Sequence, residues 1–595
     1  MLMVSLPPIL VFTFWVALEA VLCSCAILDN VADLPKHKQF DFIIVGGGTA
    51  GNVVANRLSE NPNHSVLLLE AGGSNAGLLD IIVPFLANVS VPNTELDWNY
   101  TTTPQPGLNG RSLPYPRGFV LGGTSSVNFM VYTRGSQDDW NRFAKITKDD
   151  SWSWNRIFPY FLKNERFTPP ADHHNNAAQF NPRVHGFNGI NSVSLPGNPR
   201  PVDGRVIATT TELVEFPFNL DMNSGFPLGI GWTQATINNG SRSSSATSYL
   251  APKFLNRANL VVLLNARVTR LLQTTPGSFR TIEFLQGLNG PKFTLSATKE
   301  IILSAGTVGT PNILLHSGIG DSINLKAVGI NPLHNLPSVG QNLSDHSYLP
   351  QGFLVNSTDT FDDFARNTTF QQDLLIQWNE TRTGLLVDVY ENQIGWMRVP
   401  NNSSIFQKFL DPSAGKHAAH FEMIFGNGLF TTVPPQGNFF TVASVVVSPA
   451  ARGSVTINST NPLAPPIINP NLLGTEVDSL IMREALKSSL RFVAAPAFAN
   501  YIISPLGISN SSTDAELDRH IRDNTQTIWH PAGTSCMSPV GASWGVVDPD
   551  LRVKGLTGLR VADLSVLPVI AAHPQAATYV VAEKAADMIK ATWLL

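Results

Sequence analysis

The chain has 595 residues, 43% of them hydrophobic and 14% charged, with a formal net charge of −4. That length exceeds one ordinary domain and predicts two domains sharing an interface. The near-balanced charge, without a dense Lys/Arg block, argues against nucleic acid or an anionic membrane as the main partner.

Residues 6–26 are strongly apolar, and Ser24 and Ala26 suit the two small positions before a signal-peptidase cut, so residues 1–26 read as a signal peptide. Pro7, Pro8 and Glu19 interrupt the run and argue against a retained membrane anchor. Cleavage removes Cys23 and Cys25 and leaves Cys536 alone, so no intrachain disulfide is expected. Sequons at Asn88, Asn99, Asn342, Asn367 and Asn458 add to the expectation of a secreted, extracellular glycoprotein, taken as a monomer.

A β-branched run, Phe40-Asp41-Phe42-Ile43-Ile44-Val45, breaks into Gly46, Gly48 and Gly51 and then into a helical stretch at 53–58. Gly46 permits a tight turn, Gly48 lets backbone approach a pyrophosphate and Gly51 lets helix pack on strand. The helix N-terminus around Thr49 and Ala50 then offers unpaired N–H groups to phosphate. The next strand, 65–69, ends in Glu70, placed to bond a ribose hydroxyl. The pattern fits an adenine dinucleotide without separating FAD from NAD.

Further on, Gly122-Gly123-Thr124-Ser125-Ser126-Val127-Asn128 suits a loop lying against a flat ligand, with Asn128 offering donor and acceptor; an ordinary Gly/Ser turn is the plainer reading. Residues 154–162 have a helical pattern, and 152–200 read as an excursion outside the nucleotide-binding sheet. Residues 260–268 and 300–306 read as buried parallel strands. From about 350 to 447 the segments alternate and are rich in aromatic residues, most of them core and some able to line an apolar cleft. Two histidines close the chain, His530 and His573, each followed by proline, and Pro574 opens a helix carrying Val581, Ala585, Met588 and Ile589 at helical spacing. Other histidines, such as His173 and His174, lack a convincing ligand constellation, so no metal is expected.

Together these motifs resemble the glucose-methanol-choline oxidoreductase family of flavoproteins, from about residue 38 to the C-terminus. Gly118 to Gly135 is similar to its first motif, and Gly306 through Gly320 is similar to its second. The resemblance implies an α/β fold: a Rossmann-like FAD-binding domain with a discontinuous α+β substrate-binding domain of antiparallel sheet plus helices. It implies an FAD domain over 38–345 with the excursion at 152–200, a mainly substrate-binding span over 346–510, and a C-terminal return over 511–595. It also selects FAD as the dinucleotide, and carries cofactor contacts onto Gly46, Gly48, Thr49, Ala50, Gly51, Glu70, Gly122, Gly123, Asn128, Val131, Val268, Ala305, Asp563 and Gln575. Val127 and Asn128 stand where covalent members often carry histidine, which implies non-covalent FAD.

Within the family the sequence looks most like fungal aryl-alcohol oxidases. Three departures are Phe119 where a basic residue is usual, Phe129 in place of an active-site tyrosine, and Trp529 in place of phenylalanine. The likeness implies oxidation of benzylic or conjugated allylic alcohols to aldehydes, with His530 as base, His573 holding the alcohol oxygen, hydride passing to flavin N5 and O₂ reduced to hydrogen peroxide. A free histidine pKa near 6.5 suits such a base, and Phe129, Trp529, Phe425 and Phe430 are expected to shape the substrate pocket. The position of Pro574 further suggests that its helix N-terminus faces the flavin pyrimidine. Other readings are a dehydrogenase with a quinone acceptor, a hydroxynitrile-lyase-like FAD protein, and a flavin-binding protein without catalysis.

Overall fold

In the computed structural model the described residues are 27–35, 39–287, 290–567 and 572–595. The expected signal peptide, with Cys23 and Cys25, lies outside them. Among the described residues no helix is long and apolar enough to cross a membrane.

A parallel sheet organises the first domain. Its strands run in the order Ile27–Leu28, Leu260–Leu263, Val66–Leu69, Phe40–Val45 and the end of Lys292–Leu303, with Leu559–Val561 pairing beyond. Every residue of Val66–Leu69 and Leu260–Leu263 is buried, as strands covered on both faces require. The helix Thr49–Leu58 packs against the C-terminal helix Pro574–Trp593. The apolar run at 260–268 forms two strands. Asn265 takes a left-handed backbone (φ 55°), a conformation asparagine tolerates, and redirects the chain into Ala266–Thr275. That strand continues an antiparallel extension through Ser278–Gln286 onto the first half of Lys292–Leu303.

The second sheet is antiparallel, ordered Ile502–Pro505, Ser347–Val355, Phe439–Val446, Phe421–Gly426, Gln393–Met397 and Gly229–Trp232, with Gln526–Thr527 also paired to Ser347–Val355. It therefore draws one strand from before residue 346 and one from after 510. Long-range strand pairing carries no local sequence signal, which is why those two escaped the linear partition. Helix Glu476–Phe492 and its neighbours cover one face of this sheet; the other carries Ile394, Trp396, Ile424, Ala443 and Val445 toward the cavity described below.

The excursion beginning at Trp152 does leave the parallel sheet, forming helix Trp154–Asn164 and a small sheet of Glu165–Phe167 with Asn191–Val193. Its apolar face is not separate, however: Trp152, Ile157, Phe161 and Val193 belong to the same core as the parallel strands. The helix packs on Pro574–Trp593 because its own stripe is too small to form an independent core.

Candidate active site

One cavity of about 700 Å³ joins the ends of the two domains. Its nucleotide end is lined by Gly46, Gly48, Thr49, Ala50, Glu70, Val268, Ala305 and Asp563, and its far end by His530 and His573. Gly51 and Gly122 are not lining residues. A Cβ on Gly51 would lie 1.9 Å from the Gly46 carbonyl oxygen, so this glycine sets how closely helix approaches strand. Gly123 lies on the wall, and a Cβ there would meet Gly48 Cα at 2.7 Å, whereas one on Gly48 would lie 3.8 Å from Gly123 Cα, so the close approach of the two loops depends on the missing side chain at 123.

Helix Thr49–Leu58 starts at Gly48 with no side-chain cap, leaving its first N–H groups available to an anion at the cavity wall. Glu70 is buried there: Oε2 accepts from Gly47 N at 2.8 Å and Oε1 from Gly72 N at 2.7 Å. Burial pushes its carboxyl up to about 7. Asp563 Oδ2 accepts from Gly306 N (2.9 Å) and Thr310 Oγ1 (2.6 Å), fixing the start of helix Gly306–His316. An uncapped helix start, a glycine cradle and a buried acid in one elongated cavity fit a dinucleotide of the FAD type.

The middle of the cavity is braced by side chains more than expected. Asn128 Nδ2 donates to Gln575 Oε1 at 3.0 Å, and Asn128 Oδ1 accepts from Arg242 Nη1 at 2.9 Å. Gln575 Nε2 donates to Met130 O and Thr236 Oγ1, both at 3.1 Å. The amide of Asn128 is thus committed to protein partners, and it shapes the loop rather than offering both ends to a ligand. Val131 lines the same wall. The helix Pro574–Trp593 has Pro574 in its first turn and no side-chain cap, and Pro574, Gln575 and Thr578 line the cavity.

His530 is aimed by strained backbone. Trp529 before it is left-handed (φ 63°), which costs a non-glycine residue roughly 1–2 kcal/mol. Four contacts hold it: Trp529 N donates to Thr527 Oγ1 (2.7 Å), Arg117 Nη2 donates to Trp529 O (2.6 Å), Trp529 Nε1 donates to Pro114 O (3.3 Å), and His530 N donates to Asp345 Oδ1 (2.8 Å). Asp345 Oδ2 accepts from Tyr115 OH (2.8 Å) and Thr527 Oγ1 (2.7 Å), closing the bracket.

The ring of His530 has Nδ1 3.0 Å from Nδ1 of His346. One of these nitrogens carries the shared proton; with it on His530, Nε2 is left as a lone-pair acceptor. Burial above all, then the neighbouring His573, His346 and Arg117, hold the His530 imidazole well below the usual histidine range. It is therefore neutral at ordinary pH, the form a proton acceptor needs. His573 stands beside it with ring centroids 4.8 Å apart at 70°. Its Nε2 lies 2.8 Å from Glu422 Oε1 and its backbone N donates to Thr133 Oγ1 at 2.9 Å, so the ring is fixed from both sides. Glu422 sits across from Trp396 in the antiparallel sheet.

Aromatic side chains close the far wall. Tyr390, its hydroxyl donating to Phe85 O at 2.9 Å, centres a group in which Phe85 lies at 4.3 Å, Phe361 at 5.4 Å, Phe129 at 5.8 Å and Phe430 at 6.1 Å between centroids. Trp529 continues the arc at 6.4 Å from Phe129. Phe129, Trp529 and Phe430 are thus brought together, as expected for a pocket. Phe425 is not. It follows Ile424 on the same strand, and strand alternation turns it to the opposite face, where it is buried 4.7 Å from Phe492. Ile424 and Leu429 line the cavity instead.

The sequence reading missed Asp345, His346, Glu391 and Glu422, whereas Tyr390 belongs to the aromatic-rich segment from which cleft residues were expected. Asp345-His346 directly follows the sequon at Asn342, and the sequon alone was noticed. Glu422 sits in strand Phe421–Gly426 and Glu391 just before strand Gln393–Met397, and only tertiary pairing sets Glu422 against His573 and Glu391 beside Glu422. Among the described residues no group suited to a metal ion occurs.

The N-terminal and C-terminal models of the GMC oxidoreductase family match residues 40–348 and 449–582. The chain belongs to the GMC oxidoreductases, enzymes that bind FAD and act on CH–OH donors. It is 41% identical over 590 residues to dehydrogenase eriK of Hericium erinaceus, covering 96% of this chain and 97% of that one. It is 42% identical over 577 residues to pyranose dehydrogenase of Agaricus campestris, covering 94% of each. A solved fungal aryl-alcohol oxidase superposes with a TM-score of 0.82 over 94% of this chain and all of its own; at 24% identity the likeness shows the fold alone.

Proposed function

We propose that this protein oxidises primary aromatic or conjugated allylic alcohols to aldehydes. The observation that carries this reading is the arc from Trp529 through Phe129 to Tyr390, Phe361 and Phe430, flat apolar surface in the same cavity as the paired histidines. Each aromatic contact with a planar substrate contributes roughly 0.5–1.5 kcal/mol beyond its area. When bound, FAD supplies the acceptor for the hydride that leaves the alcohol carbon. His530 Nε2 takes the hydroxyl proton, His573 holds the oxygen by hydrogen bond, and Glu422 keeps the His573 ring in register. The residues positioned to hold FAD are Gly46, Gly48, Thr49, Glu70, Gly123, Val268, Ala305 and Asp563.

The relative named as a pyranose dehydrogenase favours a second reading, a sugar donor. That cavity would call for more convergent polar groups than the aromatic arc offers. The names of both curated relatives, each a dehydrogenase, support an acceptor other than O₂, for which a quinone is proposed; hydrogen peroxide formation is the outcome that the sequence resemblance to aryl-alcohol oxidases supports. Anaerobic mixing with a benzylic panel and with glucose, followed by quinone or O₂, tests donor and acceptor together. Rapid flavin bleaching by benzylic alcohols is expected. Faster bleaching by glucose would overturn the donor, and an alcohol converted with no bleaching would favour a lyase.

FAD is proposed to be non-covalent: Val127 is buried against Ile81, Val91 and Val120 and offers no nucleophile. Acid precipitation is expected to leave the yellow colour in the supernatant. Secretion as a glycosylated monomer is likewise proposed, supported by exposed Asn88, Asn99, Asn367 and Asn458. A mass unchanged by deglycosylation would count against it.

A further inference from the structure

Glu391 lines the same cavity as the histidines and is only 5% exposed. Among the described residues no Lys, Arg or His forms an ion pair with it, and no side chain donates a hydrogen bond to it. Its surroundings are Tyr390 on its own segment, Tyr348 on strand Ser347–Val355, and Glu422 on strand Phe421–Gly426. Glu422 already engages His573 through Oε1, and its Oε2 is buried without a partner. The cations nearest in the cavity lining are spent elsewhere: Arg117 on the Pro116 and Trp529 carbonyls, and Arg267 over Trp98 toward the nucleotide end.

A buried carboxyl with no cation, beside a second one, is held in its neutral form. Burial first, then Glu422, push Glu391 up to about 8, so at neutral pH it presents an O–H donor rather than a charge. A neutral acid on an aromatic wall is a recognition group: it bonds an acceptor oxygen and is left unpaired by a hydrocarbon of the same shape.

We propose that Glu391 is a specificity-determining residue whose O–H donates to a carbonyl or ether oxygen on the ring substituent of the substrate, away from the carbon being oxidised. This inference rests on the aromatic-alcohol reading above. It selects, among aromatic alcohols of equal size, those carrying a second oxygen.

The test compares kcat/KM for 4-acetylbenzyl and 4-isopropylbenzyl alcohol, and for the 3-substituted pair, in the wild-type holoenzyme, Glu391→Gln and Glu391→Leu. Electronic effects of the substituents are common to all three proteins and cancel in the comparison. In the better-fitting pair, Glu391→Leu is expected to shift the ratio about tenfold toward the isopropyl compound, while Glu391→Gln, which keeps N–H donors, stays within a few-fold of wild type. An unchanged ratio in Glu391→Leu with full flavin content would overturn the proposal. So would an equal loss for both alcohols, the sign of a proton shared inward with Glu422. Should the leucine variant fail to fold, wild-type tryptophan quenching by acetophenone and by cumene decides: tighter cumene binding overturns the proposal. That binding comparison holds even if no benzylic alcohol bleaches the flavin, so the two readings fail separately.

Discussion

The two ends of the cavity are built on different principles. At the nucleotide end the chain uses backbone: Gly48 and Gly123 in contact, an uncapped helix start at Thr49, and Glu70 held by the N–H groups of Gly47 and Gly72. Most of these groups lie within about two dozen residues of one another. At the oxidation end the reacting groups are side chains held by side chains from far along the chain: the His530 ring by His346 and its backbone N–H by Asp345, and the His573 ring by Glu422. Backbone sites tolerate exchange of side chains but not added volume, whereas side-chain sites tolerate volume but not loss of a partner.

The largest effect is expected at the second end. His530→Ala is expected to slow flavin reduction by about 10²–10⁴-fold with FAD content unchanged, read by anaerobic stopped flow; near-normal reduction would remove His530 as the base. Next, Glu422→Leu leaves His573 without its buried partner, a loss of about 1–3 kcal/mol, or roughly 5–150-fold in rate. If Glu422→Leu changed FAD content and left the rate intact, the division between the two ends would collapse.

At the nucleotide end the corresponding break is Gly51→Ala, whose methyl would press on the Gly46 carbonyl. Overpacking of this kind costs about 1–3 kcal/mol and is expected to lower flavin occupancy and thermal stability, while each molecule that retains flavin turns over normally. Phe430→Ala, on the aromatic wall, is expected to raise KM for aromatic alcohols by a factor of about 2–12, from the roughly 0.5–1.5 kcal/mol of one ring contact. A KM that fell would show that the ring restricts entry rather than binding the donor.

The smallest effect concerns pH. His530 is held well below 6.5 when folded, so as pH falls below 6.5 the unfolded chain takes up its proton first. The stability this neutral imidazole contributes is present above pH 6.5 and lost on acidification. Glu391, pushed up to about 8, acts oppositely, its contribution falling as pH rises from about 4.5 toward 8. The acid-side drop in melting temperature is expected to be shallower in His530→Ala than in wild type, which isolates the histidine from the carboxyls.

How much of this could be read beforehand follows the same division. The strand–glycine–helix at 40–58, the acid at 70 and the helix opening at Pro574 were legible, because each is a local pattern whose physics acts within a few residues, whereas the roles of His530 and His573 were implied only by the family resemblance. Phe425 was misplaced by one position of strand alternation, and the apparent strand at 260–268 hid a turn at Asn265. Glu422 and Glu391 escaped notice because an acid in an aromatic-rich segment looks the same whether it faces solvent, a buried imidazole or another buried acid.

The sequence by itself determined an adenine-dinucleotide cradle, since glycine spacing and helix starts are fixed by local backbone geometry; FAD and the roles of the two histidines entered only through the resemblance to a family. The tertiary structure alone decided which carboxyls and which imidazole stand behind those histidines, and which faces of the aromatic strands meet the cavity. Those depend on register between strands from residues 229 to 527, and register is set by packing two sheet faces at once, a constraint no single segment contains.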